Sequence, residues 1–246
     1  MRPAIAAPIA PKREPAPVAP TVPKAMQAPA AEATGLGKNA GFSGSIADAA
    51  GRVGIPAAVL ASIIDAEAAK SHDGRWLPTS RNARSTATGL GQFLSGTWKS
   101  EAERAGTWLN ATARSNGWIG AGGKILPEAQ AALLALRNDT NASINATADF
   151  AHHSLAQLAR AGISIGQSVD QIAKAAYLGH NLGIGDAITF LRGGLGEGRA
   201  RHLLDAQVGS ASAARRIAQA GSAGAAHHNW LAEFMDKRVN AGRFLS

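Results

Sequence analysis

The chain predicts an almost all-helical (all-α) fold, on three observations. Apolar residues recur at three- and four-residue spacing, as in Ile144, Ala148, Ala151, Leu155 and Leu158, which puts them on one face of a helix. Helix-start signals stand ahead of several such segments, among them Pro56, Pro127 and Ser168 with Gln171 three residues on. The β-branched residues are isolated among alanines, so no run reads as a strand.

Taken in order, residues 1–40 hold eight of the eleven prolines, many alanines and no apolar period. They read as a disordered Pro/Ala-rich arm, either an inert leader or a docking segment, ahead of a folded region 41–246. Ser45 can cap a helix over 45–51, and Pro56 suits the first turn of a helix over 56–69. Gly, Pro, Ser and Asn make 70–88 a long loop, followed by an expected helix over 89–105. On that reading Glu67 ends one helix and Gln92 lies early in the next, so two helix ends meet at a cleft. Residues 106–124, with Trp108 and Trp118, read as irregular. Further helices are expected over 127–137, 143–161 and 168–180, and Gly183 or Gly185 permits a turn into 186–192. Helices over 197–208, 212–220 and 227–239 complete the chain, with a stripe of Trp230, Phe234 and Met235 expected to pack on the main body.

Composition narrows the classes. With 246 residues the chain can form one ordinary core, or a catalytic domain with a small attachment. A formal charge of +8 predicts attraction to polyanions, whether nucleic acid, anionic lipid or wall polymers. The basic residues are scattered without a sustained run or interleaved aromatics, so a dedicated nucleic-acid module is not expected. There is no cysteine, the histidine pairs 152–153 and 227–228 are adjacent rather than at HExxH spacing, and no glycine-rich segment ends in Gly-Lys-Ser or Gly-Lys-Thr. No metal or organic cofactor is therefore expected. Pro3, Pro8 and Pro11 interrupt the N-terminal apolar run, so no secretory signal peptide is expected, and no segment reaches the apolar length of a membrane span.

The chemistry centres on Glu67. It ends the apolar run 56–67, where a hydrophobic flank lowers its solvation and raises its pKa toward the range a general acid needs. Asp65, two residues earlier, should point elsewhere. Asp73 is the nearest alternative second acid, although its loop position also fits an ordinary turn former. Gly89 and Gly91 precede Gln92, whose amide can donate to and accept from an N-acetyl sugar. Phe93, Leu94 and Trp98 are expected to anchor that junction in the core, with Trp98 also able to border the groove.

The run 82–98, NARSTATGLGQFLSGTW, resembles the second signature of the lysozyme-like soluble lytic transglycosylase domain, and the helix ending at Glu67 resembles that family's first. The likeness continues through Ala135-Leu136-Arg137-Asn138-Asp139, the helix over 143–158 and Ala176-Tyr177-Leu178-Gly179-His180-Asn181-Leu182-Gly183, and spans roughly 45–195. It implies a lysozyme-like fold with extra C-terminal helices. It also implies cleavage of the β-1,4 bond between N-acetylmuramic acid and N-acetylglucosamine in peptidoglycan strands, of the phage endolysin or virion-associated muramidase type. Glu67 would act first as acid and then as base, the substrate's N-acetyl group would stabilise the developing cation, and the muramyl 6-hydroxyl would close a 1,6-anhydro end.

In the same likeness Tyr177 orients the carboxyl or touches sugar, and Gln92, Ser85, Thr86, Asn138, His180 and Asn181 are the further substrate-binding candidates. Two departures stand out: Ala68 where the family usually has Ser or Gly, and Gly91 where a large side chain is frequent. A muramidase hydrolysing the same bond, and an inactive wall-binding or structural component of a phage particle or secretion apparatus, are the alternatives. Without a signal peptide, the wall would be reached by lysis, by another export route or by delivery within such a particle, through the N-terminal arm.

Overall fold

The computed structural model describes residues 33–83 and 85–245, so most of the expected arm lies outside the described residues. Within them the chain is mostly helical, with eleven α-helices, no strand and only isolated bridges. These are α1 (Ser43–Val53), α2 (Ala57–Glu67), α3 (Ser95–Glu103), α4 (Trp108–Ser115), α5 (Gln130–Ala135), α6 (Thr140–Arg160), α7 (Val169–Leu182), α8 (Ile184–Leu191), α9 (Glu197–Val208), α10 (Ser210–Ala220) and α11 (Ala223–Arg238).

The central helix is α2. Pro56 is extended at its N-cap, and every residue from Ala57 to Asp65 is buried, so the helix is enclosed on all sides by other elements. Asp139 caps α6 by accepting from the Ala142 amide at 2.7 Å, and the expected face Ile144, Ala148, Ala151, Leu155 and Leu158 is buried. Ser168 and Gln171 form the expected capping box of α7. Helix α7 lies close against α6 at Gly179, where a Cβ would run into the Ser154 side chain.

Two hydrophobic clusters share α6. The larger gathers α1, α2, α7, α8, Leu90 and the C-terminal residues Leu231, Met235 and Phe244 around Ile144, Ala148 and Leu155. The smaller holds Phe93, Trp98, Leu109 and Leu133 against Ala142 and Ala146, with Phe150 at its margin. Helices α9, α10 and α11 carry satellite clusters of their own. The expected stripe on α11 packs inward: Met235 is buried, and Phe234 stacks on Tyr177 with ring centroids 5.7 Å apart.

Several expectations are corrected. The folded part begins before residue 41: Ala33 and Leu36 are buried, and the Thr34 amide donates to the Phe244 carbonyl at 3.2 Å. Ser45 lies inside α1, which follows directly on the 3-10 helix Gly37–Phe42. Residues 89–94 are not helical, because Gly89 and Gln92 have positive φ (81° and 46°) and the chain turns back so that Thr88 bridges Phe93; α3 begins only at Ser95. Residues 106–124 include α4, whose Thr107 cap accepts from the Asn110 amide. Leu94 is 48% exposed rather than a core anchor, whereas Trp98 is fully buried and donates to the Leu133 carbonyl, away from any groove.

No single described helix is long and apolar enough to cross a membrane. The segments Gly37–Val53 and Ala57–Glu67 pass such a test only jointly, and they are bent by 119°.

Candidate active site

The seam between the two clusters is where the chemistry-bearing residues meet. Glu67 is the last helical residue of α2, and Ala68 leaves in an extended conformation (φ −60°, ψ 131°). Residue 67 as a whole is half-buried, yet enough protein surrounds its carboxyl that lost hydration is the largest influence on it. Burial raises its pKa above the ordinary value; the charge of His180 and a hydrogen bond from Tyr177 offset part of that rise.

Helix α7 supplies the partners. Tyr177 is 2% exposed, and its hydroxyl donates to Glu67 while accepting from Asn181 Nδ2 at 3.2 Å. Burial first, and then the neighbouring Glu67 carboxylate, push the phenol well above its usual pKa, so it stays a donor. Tyr177 and Asn181 are four residues apart and share one helix face, which is why the Asn181 amide reaches the Tyr177 hydroxyl. Asn181 Oδ1 is buried and takes no hydrogen bond among the described residues. His180 Nε2 lies 2.8 Å from the Gly91 carbonyl oxygen, and its ring meets Phe93 and Phe150 edge-to-face at 5.0 and 5.6 Å.

The opposing wall is the loop 88–94. At Gly89 a Cβ would run into the Arg137 carbonyl, and at Gly91 it would sit 2.5 Å from Thr147 Oγ1 and 2.7 Å from the Phe93 ring. The small residue at 91 is thus demanded by the loop's closeness to α6. The Gly91 amide donates to Ser143 Oγ at 3.1 Å. Gln92 is the non-glycine residue with positive φ among the described residues, a conformation that costs about 1–3 kcal/mol and concentrates at functional sites. Its Nε2 donates to the Gly89 carbonyl at 2.7 Å and to Ser80 Oγ at 3.2 Å, while its side-chain carbonyl takes no hydrogen bond among the described residues. Gln92, Phe93, Leu94, Thr97, Phe150 and His180 line a pocket of about 60 Å³.

The structure therefore joins Glu67, Tyr177, His180 and Asn181, and brings Gln92 to the same seam through Gly91. The other three candidates do not touch this network. Ser85 is exposed, and its Oγ accepts from the Ala87 amide. Thr86 accepts the Ser95 amide on its hydroxyl, at the start of α3. Asn138 is exposed at the end of the 3-10 helix Leu136–Asn138. Within that motif Arg137 is the residue that reaches the loop, donating to the Thr86 carbonyl at 2.6 Å and the Phe93 carbonyl at 3.2 Å. Neither Arg137 nor Phe150 was singled out from sequence. Arg137 stood in the quoted motif beside Asn138, whereas Phe150 carried no signal beyond its place near the apolar face of α6.

The two other carboxylates considered are engaged elsewhere. Asp65 accepts from Lys70 Nζ and Trp76 Nε1, both at 2.8 Å, with Arg243 at 3.8 Å. Asp73 is held to a pKa of about 2 chiefly by the Ser71 hydroxyl, with help from Arg75, and is a turn residue in an exposed loop. Among the described residues no group of three or more His, Cys, Asp or Glu side chains converges as a metal site would require. No protein-family model matches the chain, and no curated protein matches it either.

Proposed function

We propose that the chain is a peptidoglycan lytic transglycosylase with a lysozyme-like catalytic fold. The observation that carries this reading is the Glu67 carboxyl, raised in pKa at the seam of two clusters and touched by a neutral phenol rather than held in an ion pair. A carboxyl whose pKa is raised by burial holds its proton longer than a free one and can deliver it to a glycosidic oxygen as the bond to C1 breaks. The N-acetyl oxygen of the muramyl sugar stabilises the cation left at C1. The Glu67 carboxylate then takes the proton of the sugar's own 6-hydroxyl as O6 bonds to C1, which restores the acid and leaves a 1,6-anhydro end. Tyr177 holds the carboxyl through both steps, and the unused Gln92 carbonyl offers an acceptor for an acetamido N–H.

One carboxyl serving twice is favoured by the surroundings of Asp65 and Asp73, both committed to cations, since a two-carboxylate hydrolase needs a second free group across the bond. The +8 charge favours an anionic wall over a neutral polymer. A partner particle or secretion apparatus, engaged through residues 1–32, completes the proposal.

The test is mass spectrometry of soluble muropeptides released from purified peptidoglycan by the wild-type chain and by Glu67→Gln. Anhydromuramyl products from the wild type alone are expected. Reducing muramyl ends would replace the transglycosylase reading with a muramidase. Binding without any release would assign the fold to a wall-binding or structural component.

A further inference from the structure

We propose that a second binding site lies beside Asp65 on α2, in a cavity of about 350 Å³ between turn 35–39, loop 70–74 and residues 243–244, and that it takes a small monocarboxylate of amino-acid size. Asp65 and Glu67 are two positions apart, about 200° around the helix, so this cavity opens on a different face of α2 from the Glu67 carboxyl. The site goes beyond the reading of Glu67 as a proton donor and does not depend on it.

The walls come from three distant parts of the chain and are tied to one another. Buried Asn39 accepts from the Trp76 amide at 2.9 Å and donates to the Gly74 carbonyl at 3.3 Å, which joins turn 35–39 to the loop after α2. The Thr34 amide donates to the Phe244 carbonyl at 3.2 Å, and a Cβ on Gly35 would run into the Arg243 carbonyl, so the first and last described segments touch without room for a side chain. Lys70 Nζ donates back to the Asp65 carbonyl at 2.7 Å, which fixes the start of the loop against the end of α2. A cavity whose walls are already held needs little ordering when a ligand enters.

The charges lining the cavity leave two cations over. Asp65 Oδ1 accepts from Lys70 Nζ and Trp76 Nε1, both at 2.8 Å. Asp73 Oδ1 accepts from the Ser71 hydroxyl at 2.5 Å, and its Oδ2 lies 3.0 Å from Arg75 Nε. Each carboxylate therefore has nearer partners than Arg243, 3.8 Å from Asp65 Oδ2, and Lys38, 3.6 Å from Asp73 Oδ2. Both of those distances are too long for a hydrogen bond, and among the described residues neither cation makes one through its side chain. The Arg243 guanidinium is steadied over the Phe244 ring, 5.8 Å from its centroid. Counting Lys38, Lys70 and Arg243 against Asp65 and Asp73, the lining carries one positive charge in excess, which matches a single carboxylate and not a dianion. A guanidinium can hold a carboxylate through two parallel N–H bonds, and an ammonium adds a point charge beside it. Leu36 and Phe244 form the apolar part of the wall, against which the body of the ligand would lie.

The test is a heteronuclear NMR titration of the full chain with N-acetyl-L-alanine, which carries one carboxylate on a small body. Its uncharged amide and inorganic sulfate serve as comparison probes. Saturable shifts of the backbone amides of Leu36, Lys38, Gly74 and Arg243 are expected with N-acetyl-L-alanine, with none from the amide and weaker binding of sulfate. Arg243→Gln should weaken the binding about tenfold, and Lys38→Gln about threefold. Binding of the amide as tight as that of the acid, sulfate binding at least as tight, or unchanged affinity in both variants overturns the proposal. Shifts centred on loop 89–94 and Tyr177 would overturn it as well, since they would put the probe on the Glu67 side. Should Arg243→Gln fail to fold, Lys38→Gln decides alone, because its ammonium is exposed and holds no hydrogen bond among the described residues: unchanged affinity in that variant contradicts the site.

Discussion

The last turn of α2 faces two regions with opposite chemistry. On one side Asp65 meets the C-terminal seam, where Lys70, the Trp76 indole and Arg243 converge on it. On the other Glu67 is enclosed beside α7, where its hydrogen-bond partner is the Tyr177 phenol. The two residues are two positions apart, about 200° around the helix, so one turn presents both faces. Carboxyls of nearly the same intrinsic strength are given opposite surroundings, an ion-paired one for Asp65 and a desolvated one that raises the pKa for Glu67, by what the neighbouring elements supply. Cations on one face consume the charge, whereas apolar burial on the other discourages it.

Replacement on the Glu67 side should break function and spare the fold. Glu67→Gln is expected to lower fragment release from peptidoglycan by at least about 1,000-fold while its circular dichroism stays that of the wild type. Replacement on the seam side should do the reverse. Asp65→Ala strands Lys70 and the Trp76 N–H, which costs about 2–3 kcal/mol by chemical denaturation once partial exposure is allowed for, while the folded fraction keeps its activity.

Tyr177→Phe tests how far the phenol matters. Removing the donor to Glu67 and the acceptor of Asn181 is expected to reduce kcat about tenfold, with a stability loss of about 1 kcal/mol, measured by muropeptide release and thermal unfolding. The smallest effect concerns pH. Because the folded-state pKa of Glu67 is raised, the folded chain holds a proton that the unfolded chain has lost between the ordinary value of 4.5 and the folded value. Stability from this group is therefore full below pH 4.5 and declines as pH rises through that window. Glu67→Gln should match the wild-type melting temperature at pH 4 and exceed it at pH 8.

Much of this arrangement was legible in sequence where a local rule and the tertiary fold agree. The Ser168–Gln171 box and the face of α6 followed from capping and periodicity, and the α9 span of Glu197–Val208 from the glycines that bound it. Glu67 stood out because an acid ends an otherwise apolar run. Residues 89–94 read as helix because their apolar residues continue into α3, whereas Gly89 and Gln92 adopt left-handed φ and Arg137 ties the loop down from across the fold. Helix α4 escaped because it is short and its cap is a lone Thr107 among glycines and polar residues. The clamp on His180 joins residues about 30 and 90 positions away, and no local pattern encodes such contacts.

The most direct measurement is a carbon-13 titration of the Glu67 side-chain carboxyl in the folded wild-type protein without ligand. A midpoint clearly above 4.5 is the predicted result, since a desolvated acid beside a neutral phenol must hold its proton longer than a free one. A midpoint at or below 4.5 would mean that Glu67 is an ordinary carboxylate at neutral pH, and would remove the proton donor on which the proposed cleavage depends.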